Sequence, residues 1–123
     1  MRRPFWLVLV LLLAPSVAAA DSSPEVTIGS KKFTESVVLG EVAARLVEAE
    51  NGTALHREQL GGTRVLWSAL QRGDIDAYPE YTGTIEQEIL GGQTVDSHSQ
   101  LREELASRGI GMTAPLGFNN TYA

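Results

Sequence analysis

Val26-Thr27-Ile28-Gly29-Ser30-Lys31-Lys32-Phe33-Thr34-Glu35 opens the stretch that decides the fold, which runs on to Asn51-Gly52. Val26 to Ile28 is rich in β-branched residues and closed by Gly29, which reads as a short buried strand. Thr34 is placed to cap a helix, with Glu35 in its first turn. Val38, Leu39, Val42, Ala43, Leu46 and Val47 then recur at helical spacing, and Asn51-Gly52 stops the helix. Working outward, Ala54 to Leu60 predicts a second, weaker strand. Gly61-Gly62-Thr63 turns into a helix over Arg64 to Arg72, which Gly73 ends. Ile75 to Tyr78 predicts a third strand. Thr84 to Leu90 and Leu101 to Ser107 predict two short helices, closed by Gly91-Gly92 and Gly109, and Ile110 to Ala123 is extended in character. This alternation predicts an α/β fold with a central, largely parallel sheet flanked by helices. Ligands of such sheets bind beyond the carboxyl ends of the strands. Residues 29–34, 61–63 and 79–84 occupy those ends and are expected to converge at one rim.

Upstream, Met1-Arg2-Arg3 gives a positive start, Phe5 to Leu13 is an unbroken apolar run, and Ala18-Ala19-Ala20 precede Asp21. This is the plan of a secretory signal peptide over residues 1–20, cleaved after Ala20. A membrane span needs roughly twenty apolar residues, and Pro15-Ser16 interrupts well before that. The expected product is exported to a bacterial periplasm and inserts into no membrane after cleavage. Residues 21–123 then form one modest domain. A chain with 43% hydrophobic and 20% charged residues can form a core, so disorder is excluded. Zero cysteines exclude disulfides and thiolate chemistry. The formal charge of −5 becomes more acidic once Arg2 and Arg3 leave, and there is no basic run, so nucleic acid is an unsuitable partner.

His56 and His98 are isolated, without a second ligand at metal spacing, and read as surface histidines. Asp74-Ile75-Asp76 starts like a calcium loop, but Pro79 and Ile85 stand where that loop needs Gly and Glu. No Gly-x-Ser-x-Gly elbow or phosphate loop occurs. No cofactor is expected. Two segments carry aromatic and amide groups suited to a small zwitterion: Tyr78-Pro79-Glu80-Tyr81-Thr82-Gly83-Thr84 and Phe118-Asn119-Asn120-Thr121-Tyr122. Tyrosine faces attract quaternary ammonium groups, and Asn and Thr hold polar ends. The same tyrosines serve equally well as core or rim packing. Gly61-Gly62-Thr63 reads first as a plain strand-to-helix turn, whose free amides also suit a carboxylate.

Four segments together resemble a known family. They are Gly29 to Glu35, Gly61-Gly62-Thr63-Arg64-Val65-Leu66-Trp67, Gly73-Asp74-Ile75-Asp76-Ala77-Tyr78-Pro79-Glu80-Tyr81-Thr82-Gly83-Thr84, and Gly117-Phe118-Asn119-Asn120-Thr121-Tyr122-Ala123. In this order they look like the substrate-binding proteins of osmoprotectant ABC importers, the glycine betaine, choline and carnitine group. The resemblance implies a type II periplasmic-binding-protein lobe, no enzymatic activity, and delivery of the ligand to an ABC permease and its ATPase in the inner membrane. It places Tyr81, Thr84, Asn120 and Tyr122 at ligand-contacting positions, with Ser30 and Lys31 as rim residues of the first loop. Val37 stands where some relatives have Gln. Family members are about twice as long, in keeping with two lobes. Residues 21–123 are therefore expected to be the N-terminal lobe, ending at the interlobe crossover with the second lobe missing. The alternatives are another small polar solute, such as an amino acid or ergothioneine, a small exported hydrolase, or a truncated remnant without function.

Overall fold

The computed structural model describes residues 23–119. The expected leader, Asn120 and Tyr122 lie outside the described residues. Strand β1 (Glu25–Gly29) leads to helix α1 (Thr34–Ala49), which returns the chain to strand β2 (Thr53–Arg57). The two strands pair in parallel, with Val26 opposite Ala54 and Ile28 opposite His56. Helix α2 (Thr63–Arg72) follows. A short helical turn, α3 (Thr82–Thr84), then runs directly into a π-helical segment, Ile85–Ile89, and α4 (His98–Ser107) comes last.

The expected third strand is reduced to one parallel bridge between Ile28 and Ala77. Gly29 N–H donates to Ala77 O and Asp76 N–H to Thr27 O, so the chain does lie alongside β1. The Asp76 carboxylate also accepts the Thr27 N–H at 2.7 Å. A side chain thus takes a donor that a longer ladder would use, and Pro79 has no N–H to extend the pairing. The second strand is also shorter than expected, ending at Arg57 rather than Leu60.

Helix α1 packs in a way its apolar pattern does not announce. Its buried residues are Ser36, Gly40 and Ala44, a row of small side chains four apart. Small residues let the helix axis approach the sheet closely. Val38, Val42 and Leu46 form a parallel row and stay 54%, 49% and 64% exposed. Leu39, Ala43 and Val47 lie between, half-buried.

Two hydrophobic clusters hold the rest. Leu66, Ala69 and Ile75 are buried together, with Leu60, Leu70 and Tyr78 against them. Ile85, Leu90, Leu101 and Leu105 form the second, flanked by Trp67, Val95 and Ile110. The π-helical segment explains how both ends of its turn reach this second cluster. Leu90 N–H donates to Ile85 O, five residues back, and that spacing brings Ile85 and Leu90 inward together. An ordinary α-helix over 84–90, as the sequence predicts, would rotate them apart. Gly73 ends α2 in the left-handed region at φ 76°, where a residue without Cβ is favoured. Among the described residues, no helix is long and apolar enough to cross a membrane.

Candidate functional site

The three segments at the strand ends do meet. Lys31, Lys32 and Phe33 from the first, Gly61, Gly62 and Thr63 from the second, and Tyr81, Thr84 and Glu88 from the third line one open groove of about 490 Å³. Backbone bonds fix the first two segments against each other: Leu60 N–H donates to Ser30 O at 2.9 Å and Lys32 N–H to Gly61 O at 3.2 Å. The N-terminus of ten-residue α2 opens onto this groove through Gly62 and Thr63. Its positive end suits a carboxylate.

Lys31 is the node of the site. Its Nζ donates to Thr63 Oγ1 at 2.9 Å and to Glu80 Oε1 at 2.6 Å. The Lys31 and Glu80 side chains are only 8% and 7% exposed. The expected rim lysine is therefore nearly buried, because a long apolar stem can pack while its ammonium reaches a carboxylate. Its backbone N–H donates to Ser36 Oγ, which ties the loop to the first turn of α1. Glu80 Oε1 also accepts the Tyr81 N–H at 3.0 Å. Glu80 Oε2 is buried and makes no hydrogen bond of good geometry. Neither Glu80 nor Thr63 stood out as a partner of Lys31 in the sequence.

Tyr81 is half-buried, and its hydroxyl donates to Glu35 Oε1. Both ends of its backbone-to-hydroxyl axis are thus held by carboxylates, Glu80 at the amide and Glu35 at the phenol. Thr84 stands one turn further and lines the groove together with Glu88, four residues on. Tyr78 does not line it. That side chain packs on the Leu66 cluster, where burial, and then the negative charge of Glu80, push its hydroxyl well above the ordinary tyrosine range.

Ser30 is not a rim residue. It is 0% exposed and lies beneath the groove. Its Oγ is 3.0 Å from His56 Nε2, and His56 Nδ1 is 3.1 Å from Glu41 Oε2. His56 is consequently no surface histidine: its side chain is 6% exposed, and only His98 lies in the open. Hydroxyl, imidazole and carboxylate follow one another in the order of an acyl-transfer triad. The sealed Ser30 hydroxyl offers no approach to a substrate carbonyl, so the arrangement braces β1, β2 and α1. Glu41 titrates below its ordinary value, chiefly through its hydrogen bond to His56 and with help from Arg45. Glu41, His56 and Glu58 also bring three possible metal-ligand atoms within 4.8 Å of one another. Asp74, from the failed calcium loop, pairs with Arg72, and on α4 Glu104 pairs with Arg108.

Residues 24–123 match the family described as the substrate binding domain of ABC-type glycine betaine transport systems. The chain belongs to that family. It is 40% identical over 75 residues to the glycine betaine-binding protein YehZ of Escherichia coli K12, an alignment covering 61% of this chain and 24% of the relative. It is 33% identical over 124 positions to the ergothioneine transport permease/ergothioneine binding protein EgtU of Helicobacter pylori G27, covering 94% of this chain and 22% of the relative. The chain spans about a quarter of the length of these curated relatives. The family is one of transport substrate-binding domains, which bind small solutes and work with a permease and an ATPase.

Proposed function

We propose that this chain supplies one wall of a binding site for a small trimethylammonium zwitterion, glycine betaine above all, in an exported importer component. The observation that carries the reading is the groove in which an aromatic residue, a lysine and a helix N-terminus converge. Tyr81 offers a ring face to a quaternary ammonium group, which no hydrogen bond can hold. The N-terminal amides of α2 suit a carboxylate, and Lys31, paired with Glu80, holds the loop that faces them. Thr84 adds a hydroxyl at the same wall. Ser30 contributes indirectly, by holding the loop through His56. Asn120 and Tyr122 complete the contacts that the family resemblance assigns.

On this reading residues 1–20 are a signal peptide and residues 21–123 form one lobe of a type II binding protein. A second lobe closes over the groove by a hinge motion and excludes water, which strengthens the cation–π attraction. The closed form delivers its ligand to an ABC permease and its ATPase. Choline and carnitine share the trimethylammonium head and are the next candidates. Ergothioneine is a second reading with its own support. A relative aligned along nearly the whole chain is named for it, and it too is a trimethylammonium carboxylate.

Titration calorimetry on the full-length protein tests this. Glycine betaine, choline, carnitine and ergothioneine are each titrated, with a plain amino acid as competitor. Saturable heat with one or more of the quaternary amines is expected, lost in Tyr81→Ala. Heat with the amino acid alone sinks the proposal, and silence with all five removes it.

A further inference from the structure

We infer that Glu80 is a positioning residue that holds Tyr81 in place and cancels the charge of Lys31, so that the groove admits a ligand without a carboxylate. This rests on the function proposed above. Glu80 does not line the groove. It acts through two neighbours that do, since one carboxylate oxygen takes both the Lys31 ammonium at 2.6 Å and the Tyr81 N–H at 3.0 Å. A backbone amide and a lysine are thereby bound to one atom, and Thr63 at the head of α2 is drawn into the same node by its 2.9 Å bond to Lys31. All three groove segments meet at this ion pair, the 61–63 segment through Lys31 and the 79–84 segment through Glu80.

The second oxygen decides the electrostatic part. Glu80 Oε2 is buried and makes no hydrogen bond of good geometry, with the Tyr78 hydroxyl as its polar neighbour. A buried acceptor in that state costs stability unless its charge serves another group. The nearby group that gains is the Lys31 ammonium, at 8% exposure too dry for solvent to screen well. With Glu80 ionised the pair presents little net charge to the groove. Without that charge, the Lys31 ammonium would add a positive charge to a groove whose other charged lining groups are Lys32 and Glu88, within the wall that also holds Tyr81.

Glu80→Gln separates charge from shape. The amide oxygen still accepts from Tyr81 and Lys31, while the negative charge is removed and an NH2 takes the place of the buried Oε2. Calorimetry on the full-length protein is expected to show choline, a pure cation, losing at least about tenfold in affinity relative to glycine betaine, whose carboxylate compensates. Adding Lys31→Met to Glu80→Gln removes the stranded cation and is expected to return choline toward its original affinity. A purely structural Glu80 would weaken both ligands together and would show no such rescue. An unchanged choline-to-betaine ratio in Glu80→Gln therefore overturns the inference while leaving the proposed function standing. If the unaltered protein binds none of these ligands, hydrogen exchange at the Tyr81 amide decides the positioning claim alone. Faster exchange in Glu80→Ala than in the unaltered protein supports it, and equal exchange overturns it.

Discussion

Gly40 sits on the buried row of α1, and a Cβ built there would collide with the His56 imidazole. The absent side chain makes room for the ring that joins Ser30 to Glu41. Gly40→Ala would raise helix propensity by up to about 1 kcal/mol, but the clash is with a ring held on both sides. Overpacking of this kind costs about 1–3 kcal/mol. The expected net result is a lower denaturant midpoint with unchanged slope, read by urea titration. His56→Ala in the same background should recover part of the loss. The Glu41 partner adds a pH dependence whose sign follows from its lowered value. A depressed carboxyl stabilises the fold above its unfolded titration point, and that contribution fades as pH falls through the folded value. The loss should therefore lie below about pH 4.5, the ordinary value from which it is depressed. Glu41→Gln should flatten the stability profile in that acid window and, near neutrality, lower the stability without changing its slope with pH.

At the scale of elements, α4 is attached through one stripe. Leu101 and Leu105 are its buried residues, and both enter the cluster that also takes Ile85 and Leu90. Ser97 caps the helix by accepting the Gln100 N–H. Leu101→Ala should cost about 2–5 kcal/mol, because a buried leucine leaves a cavity. Trp67 borders the same cluster, so its fluorescence should shift red while β1 and β2 keep their pairing. An unchanged emission maximum would show that α4 is not docked there. Much of this level was legible in the sequence. Helix ends at Asn51, Gly73 and Gly109 fall where the stop residues put them, since turn chemistry is local. The convergence of residues 29–34, 61–63 and 79–84 was legible from alternation alone. The π-helical turn was not, because a single turn with a five-residue hydrogen bond is too short to set an apolar period of its own. The Lys31 node was also hidden: its partners lie 32 and 49 positions away, and no periodicity links them. The apolar repeat of α1 misled in a definite way. It marks Val38, Val42 and Leu46 as readily as Leu39, whereas close approach to the sheet selects Ser36, Gly40 and Ala44.

Among the described residues, the open groove is built on a two-stranded sheet with little rigidity of its own. What holds its walls together is polar: the Lys31, Thr63 and Glu80 node below, and the Glu35 to Tyr81 contact above. A site of this construction gains stability when filled. A ligand that binds only the folded form stabilises it by about 2.7 kcal/mol at a hundredfold excess over Kd. The melting temperature of the full-length protein should therefore climb steadily with the logarithm of betaine concentration. Tyr81→Phe separates the two parts of the argument. It keeps the ring face for the ammonium group and removes the hydroxyl that binds Glu35. The ligand-free melting temperature should fall while the rise with betaine survives, at a higher ligand concentration. If the rise disappears in Tyr81→Phe, the tyrosine acts through its hydroxyl, and the ring face is not what holds the ligand. Tyr81→Ala should abolish the rise outright. A full rise in that variant would place the ammonium group somewhere other than this wall.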